Sequence, residues 1–144
     1  MGAFSKTSED NLKTCDSDIQ TLFNYIIKYM DCSVIFGNRT PEKQFELFKQ
    51  GRILKNGIWE VENKSKIVTY KDGFIEKSKH NYIPSKAVDV VPYPSLYSDE
   101  KKLIEFGGFV MGVATMLKAY NAIDKDITWG GNWKWKDYAH YQVI

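Results

Sequence analysis

The stretch Ser78-Lys79-His80-Asn81-Tyr82-Ile83-Pro84-Ser85-Lys86-Ala87-Val88-Asp89-Val90-Val91-Pro92 decides how this chain is read. Its second half is a strand, in which Ala87, Val88, Val90 and Val91 are apolar and a single aspartate, Asp89, is embedded. A carboxylate inside an apolar strand must be ion-paired, hydrogen-bonded or metal-bound, because an isolated buried charge is very costly. For Asp89 a salt bridge to a lysine or arginine and a metal both remain open. The first half carries His80, one of only two histidines; the other, His140, closes Asp137-Tyr138-Ala139-His140. Imidazole and carboxylate are ligands that zinc takes at sites that do chemistry, where three protein ligands leave a position for water. His80, Asp89 and His140 would supply three, with Asp137 beside them as a base. A lone histidine in a strand is more commonly a core or surface residue than a ligand. The case rests on both histidines and both aspartates lying at strand-like ends flanked by glycines and aromatics.

Working outward, 144 residues predict one domain, large enough to bury a core without disulfide or metal staples. An aromatic share of 15% argues against disorder, and a net charge of +2 is too mild to argue for nucleic acid as a partner. Cys15 and Cys32 follow no metal spacing and are expected as free thiols. No basic region followed by an apolar stretch opens the chain, and no apolar run reaches membrane-spanning length. The expectation is a soluble protein made in the cytoplasm, without membrane insertion.

Residues up to Thr14 are polar, with scattered apolar anchors at Phe4 and Leu12. From Asp16 to Met30, Ile19, Leu22, Phe23, Ile26 and Met30 recur at helical steps behind an Asp16 or Ser17 cap. Ser33-Val34-Ile35-Phe36 reads as a short buried strand ended by Gly37-Asn38. Thr40 as N-cap and Pro41 at the first helical position predict a second helix to Gln50, with Phe45 and Phe48 inward and Gly51 as its stop. Arg39 stands just ahead of that helix, where an exposed arginine paired with a surface carboxylate is the ordinary expectation.

Residues 52–77 mix polar residues with alternating pieces such as Gly57–Val61 and Lys66–Tyr70, which read as marginal strands or a long functional loop. A long helix is predicted from near Ser98 to Asn121, with Leu103, Phe106, Val110, Val113, Leu117 and Tyr120 inward and Gly107, Gly108 and Gly112 allowing close approach to a sheet. Ile127–Trp129 and Tyr138–Ile144 read as closing strands. Between them Trp133 and Trp135, with Trp129, either line a groove or cap the core.

Taken together, Ser78-x-His80, Ala87-x-Asp89, Trp133 and Asp137-x-x-His140 resemble the zinc D-alanyl-D-alanine carboxypeptidase (VanY-like) family, and within it phage endolysins of the L-alanyl-D-glutamate endopeptidase type. Gly37-Asn38-Arg39-Thr40-Pro41-Glu42-Lys43-Gln44 resembles the family's Gly-x-Arg-Thr-x-Glu-x-Gln block, so the likeness spans nearly the whole chain. Two departures stand out: Ser85 replaces the glycine before Ala-x-Asp, and the span from His80 to Asp89 is longer than the commonest spacing, with Asn81 to Pro84 holding the extra length.

The resemblance implies an α+β fold, helices packed on a small antiparallel sheet with the zinc site in a groove on the sheet, as in Hedgehog and DD-peptidase-like proteins. It implies one Zn2+ per chain on His80, Asp89 and His140, with Asp137 as general base and Arg39 facing the developing oxyanion or a substrate carboxylate. Ser78 would support a ligand from behind by taking its remaining N–H, and Trp133 and Trp135 would line the peptide groove. The implied substrate is the stem peptide of bacterial peptidoglycan, cut by a monomeric, one-domain endolysin spanning residues 1–144, with no separate wall-binding module. It would stay in the host cytoplasm until a holin releases it to the wall. Three other readings remain: D-Ala–D-Ala carboxypeptidase activity at the same metal, a non-catalytic zinc-containing wall-binding module, and a metal-free muramidase working through two carboxylates. Asp137 argues against the binding module and the two histidines against the muramidase.

Overall fold

A computed structural model describes residues 2–94 and 97–144. Four strands form an antiparallel sheet in the order β1-β4-β6-β5: β1 (Cys32–Phe36), β4 (Ala87–Pro92), β6 (His140–Val143) and β5 (Ile127–Trp129). Helices α2 (Ser17–Ile26) and α4 (Glu100–Ala119) cover one face. Because side chains alternate along a strand, Val88 and Val90 of β4 and Tyr141 and Val143 of β6 join Ile19, Leu22, Phe23, Ile26, Phe106 and Val110 in the core. The intervening residues Asp89 and His140 point to the opposite face, where they sit side by side as a cross-strand pair. All six residues of β4 are buried, so its second face is covered too.

The apolar periodicities foretold α2 and α4, and the caps are in place: the Asp16 carboxylate accepts from Asp18 N–H and the Asp99 carboxylate from Lys102 N–H. The α4 stripe ends at Leu117; Tyr120, expected inward, is 80% exposed because the helix stops at Ala119. Helix α3 (Pro41–Lys49) begins with the expected Thr40 cap, and Gly51 follows its end at φ +81°. Its core-facing residue, however, is Gln44 and not Phe45 or Phe48. Those two phenylalanines are half-buried in a satellite aromatic cluster, with Phe45 centred 5.9 Å from Trp59 and 6.0 Å from Phe74. Within 52–77 the regular structure is a two-stranded hairpin, β2 (Arg52–Lys55) and β3 (Ile58–Val61), turning at Asn56-Gly57 where both residues have positive φ. Lys66–Tyr70 is not a strand.

Helix α1 (Lys6–Lys13) gave no apolar signal because its main contacts are polar. Ser8 Oγ accepts from Val34 N–H, and the Asn11 side-chain amide donates to the carbonyls of Val34 and Ile35. α1 thereby covers the open edge of β1, whose backbone groups would otherwise need water. Cys15 and Cys32 are free and buried, and burial pushes both thiols up to about 12. No helix among the described residues is long and apolar enough to cross a membrane.

Gly107 shows why α4 tolerates glycine. A Cβ there would lie 2.2 Å from the Trp129 ring, whereas one at Gly108 or Gly112 would meet nothing. Gly107→Ala is therefore expected to destabilise the fold by about 1–3 kcal/mol, while Gly108→Ala gains up to about 1 kcal/mol from helix propensity. Urea unfolding of the two variants checks this; equal shifts would show that the Trp129 contact gives way at no cost.

Candidate metal centre

The centre is assembled across the sheet from three places. Asp89 projects from the middle of β4, and the register of β6 sets His140 directly opposite. His80 arrives on a single tight turn, Lys79–Asn81, whose ends are locked reciprocally: Ser78 Oγ accepts from His80 N–H and Asn81 Oδ1 accepts from Ser78 N–H. That turn is laced to the segment leading into α3, since Arg39 N–H donates to the His80 carbonyl and the Asn81 amide to the Arg39 carbonyl.

Asp89 Oδ1 lies 3.3 Å from His80 Nε2 and 3.2 Å from His140 Nδ1. All three residues are buried, and one ligand atom from each lies within 4.8 Å of the others. Each imidazole is oriented by a bond on its far side. His80 Nδ1–H donates to the Gly37 carbonyl at 2.8 Å, and His140 Nε2–H donates to Gln142 Oε1 at 2.8 Å. Each ring thus directs its second nitrogen at Asp89 Oδ1, which is itself buried without a hydrogen-bond partner. Three acceptor atoms that converge this closely need a proton or a cation among them. Ligand bonds of about 2.0–2.1 Å in a tetrahedron space the donor atoms roughly 3.3 Å apart, which the two measured separations match. The residues fit a metal.

The charges point the same way. Burial works against ionising Asp89, but the two imidazoles outweigh it and hold the carboxyl well below the usual carboxylate range. Burial likewise opposes charging His140, yet Asp89 raises its pKa above the ordinary value. Asp137 is half-exposed, with Oδ2 4.0 Å from His140 Nδ1, and its pKa is raised by desolvation and then by the Asp89 charge.

Arg39 is not a surface arginine: its side chain is only 10% exposed. Its guanidinium stacks 4.7 Å from the Phe36 ring centroid, donates through Nη1 to Gln44 Oε1 at 2.9 Å, and holds Nη2 3.9 Å from Asp89 Oδ2. Trp133 packs 5.0 Å from the His140 ring, while Trp135 is 82% exposed, with Lys134 Nζ 6.0 Å from its ring centroid. Trp129 is a core cap whose Nε1–H donates to the Tyr138 carbonyl. Ser78, expected behind an imidazole, instead caps the turn through the His80 backbone; the imidazole N–H goes to Gly37.

Sequence reasoning left three roles unassigned. Gln44 orients Arg39; it closes the Gly37–Gln44 block but was given no role there. The Gly37 carbonyl carries no side-chain signal, and Gln142 could have been suspected from its place two residues after His140.

No protein-family model matches the chain. The chain is similar to the peptidoglycan L-alanyl-D-glutamate endopeptidase CwlK of Bacillus subtilis (strain 168), at 33% identity over 122 residues covering 81% of this chain. It spans only 63% of that relative's length. Among solved structures it is similar to the Serratia marcescens L-Ala D-Glu endopeptidase ChiX, with a TM-score of 0.68 at 21% identity over 99% of this chain and 90% of that one. The structural likeness shows the fold, an α+β protein with helices packed on a small antiparallel sheet, and that sheet carries a buried His-Asp-His group able to hold a metal.

In the metal-free chain the raised pKa of His140 has a defined consequence for stability. A folded-state pKa above the unfolded value adds stability that is complete below about 6.5 and lost as pH rises through the folded value. The melting temperature of chelated protein is therefore expected to fall as pH rises above about 6.5, and His140→Gln to flatten that slope. A slope that survives in the variant would assign it to another group.

Proposed function

We propose that this chain is a zinc-dependent peptidoglycan peptidase, one catalytic domain, that hydrolyses the stem peptide at the L-Ala–D-Glu bond. The observation carrying this reading is the convergence of His80 Nε2, His140 Nδ1 and Asp89 Oδ1, both rings oriented by outward hydrogen bonds. The names of both similar proteins support the choice of bond. Bound on these three ligands, zinc would lower the pKa of a water toward neutrality and polarise the scissile carbonyl.

The chain's own groups supply the rest. Asp137, half-exposed beside His140, takes the proton from the attacking water and returns it to the leaving amine. Its raised pKa makes it a stronger base than an ordinary carboxylate, so the acid limb of activity rises with it. Arg39 offers Nη2 and Nε, the latter buried without a partner, to the developing oxyanion or a substrate carboxylate. Trp133 walls the groove beside His140, and Trp135 extends that wall into solvent. Use as a phage endolysin, released from the host cytoplasm by a holin, rests on the motif resemblance.

The direct test is metal content of the purified protein, with digestion of purified peptidoglycan before and after chelation. One zinc per chain and chelator-sensitive release of new amino termini are expected, and mass analysis of the fragments names the bond; metal-independent lysis would overturn the reading. Asp137→Asn should keep zinc while turnover falls at least roughly 100-fold, whereas His80→Ala and His140→Ala should lose zinc and activity together. Arg39→Lys, which loses the planar fork, should lower turnover about tenfold or more; an unchanged rate would remove Arg39 from the reaction.

A further inference from the structure

The extra length between His80 and Asp89 is not slack. It forms a closed loop in which Lys86 N–H donates to the Lys79 carbonyl, Ser85 N–H to the Thr14 carbonyl, and Asp16 N–H to the Ser85 carbonyl. The Asn38 side-chain amide holds the Tyr82 carbonyl at 2.8 Å. On this pinned backbone three ammonium groups gather about one ring: Lys86 Nζ lies 4.3 Å from the Tyr82 centroid, and Lys77 Nζ and Lys79 Nζ each lie 5.7 Å from it. All three lysines are exposed, and among the described residues none is within salt-bridge distance of a carboxylate. Elsewhere lysines do find partners, as Lys71 does with Glu76 and Lys125 with Asp16. Three like charges held together on a fixed loop repel one another, and an arriving anion relieves that repulsion.

We propose that Lys77, Lys79 and Lys86 around Tyr82 form a docking point for a phosphodiester polymer of the cell wall, separate from the metal centre. Ammonium groups bind phosphate oxygens as point charges, and three of them set around one ring suit the repeated single charges of a phosphodiester chain. A wall polymer is the occupant chosen because the chain is read as acting at the wall; Ile75 and Ile83, each 90% exposed, flank the lysines in sequence, so a vesicle arm of the test separates a lipid surface from it. The site deepens the reading above, resting on the chain acting at the wall, but binding can be measured without turnover.

The test is co-sedimentation of the full chain with purified walls that carry a phosphodiester polymer and with the same walls stripped of it by hydrofluoric acid. Phosphatidylglycerol vesicles form a further arm. The wild type is expected to bind intact walls at least roughly tenfold more tightly than stripped walls, with the preference vanishing as salt rises. The K77Q/K79Q/K86Q variant should lose that preference while keeping the wild-type melting temperature and the wild-type cleavage rate on stripped walls. Equal binding of wild type and variant to intact walls overturns the site, as does indifference of the wild type to stripping. Lysine-dependent binding to vesicles in preference to intact walls overturns the choice of polymer. Failure to cleave any wall, with the binding preference intact, counts against the peptidase reading and not against this one.

Discussion

The Asp89 carboxylate, buried on a strand covered on both faces, is the constraint around which the rest of the molecule is arranged. Removing a charge from water is expensive unless opposite charges or donors surround it. Here each neighbouring element supplies one. The register of β6 brings His140, the tight turn at 79–81 brings His80, and the segment after β1 brings Arg39. The register shift near Phe36 redirects the chain where it leaves the sheet, so that the next carbonyl, that of Gly37, faces His80. Gly37 must be glycine for a reason on its other side: a Cβ would lie 2.2 Å from the Asn11 carbonyl and 2.3 Å from Thr14 Oγ1. The polar helix α1 therefore fixes an imidazole it never touches, by fixing the backbone that orients it.

How much of this could be read from the sequence follows from what periodicity measures. Apolar residues at helical or strand steps report burial of apolar surface, and α4, β1 and β4 lie within two residues of their expected bounds, while α2 ends at Ile26, four residues before the expected Met30, which is exposed. Where polar groups do the packing the pattern is silent. α1 binds its strand through Ser8 and Asn11, and α3 turns Gln44 inward in place of two phenylalanines because a buried guanidinium needs a neutral acceptor. The three candidate ligands were legible because histidine is so scarce here that residue type nearly chose them. Their orienting partners, a backbone carbonyl and a glutamine, belong to no alphabet of motif residues.

The tryptophans divide along the same line. Three of the four, Trp129, Trp133 and Trp135, lie in one glycine-containing segment, and composition cannot separate them. The structure does, by what each ring finds: Trp129 finds Gly107 and the core, Trp133 finds His140, and Trp135 finds solvent. The choice between capping the core and lining a groove was never a single choice.

Arg39 shows how the fold can hold reactivity in reserve. Its Nη2 stands 3.9 Å from Asp89, too far for a hydrogen bond, and its Nε is buried with no partner among the described residues. A guanidinium kept this way costs stability, since burial disfavours its charge and lowers its pKa. It persists because Phe36 stacks beneath it and Gln44 grips one nitrogen, while Gln44 is itself held by Thr69 and Lys71. The donors left over are therefore already dehydrated and aimed before any ligand arrives. An incoming anion would gain charge-assisted hydrogen bonds without first organising the arginine, so the cost of arranging them falls on folding and not on the reaction.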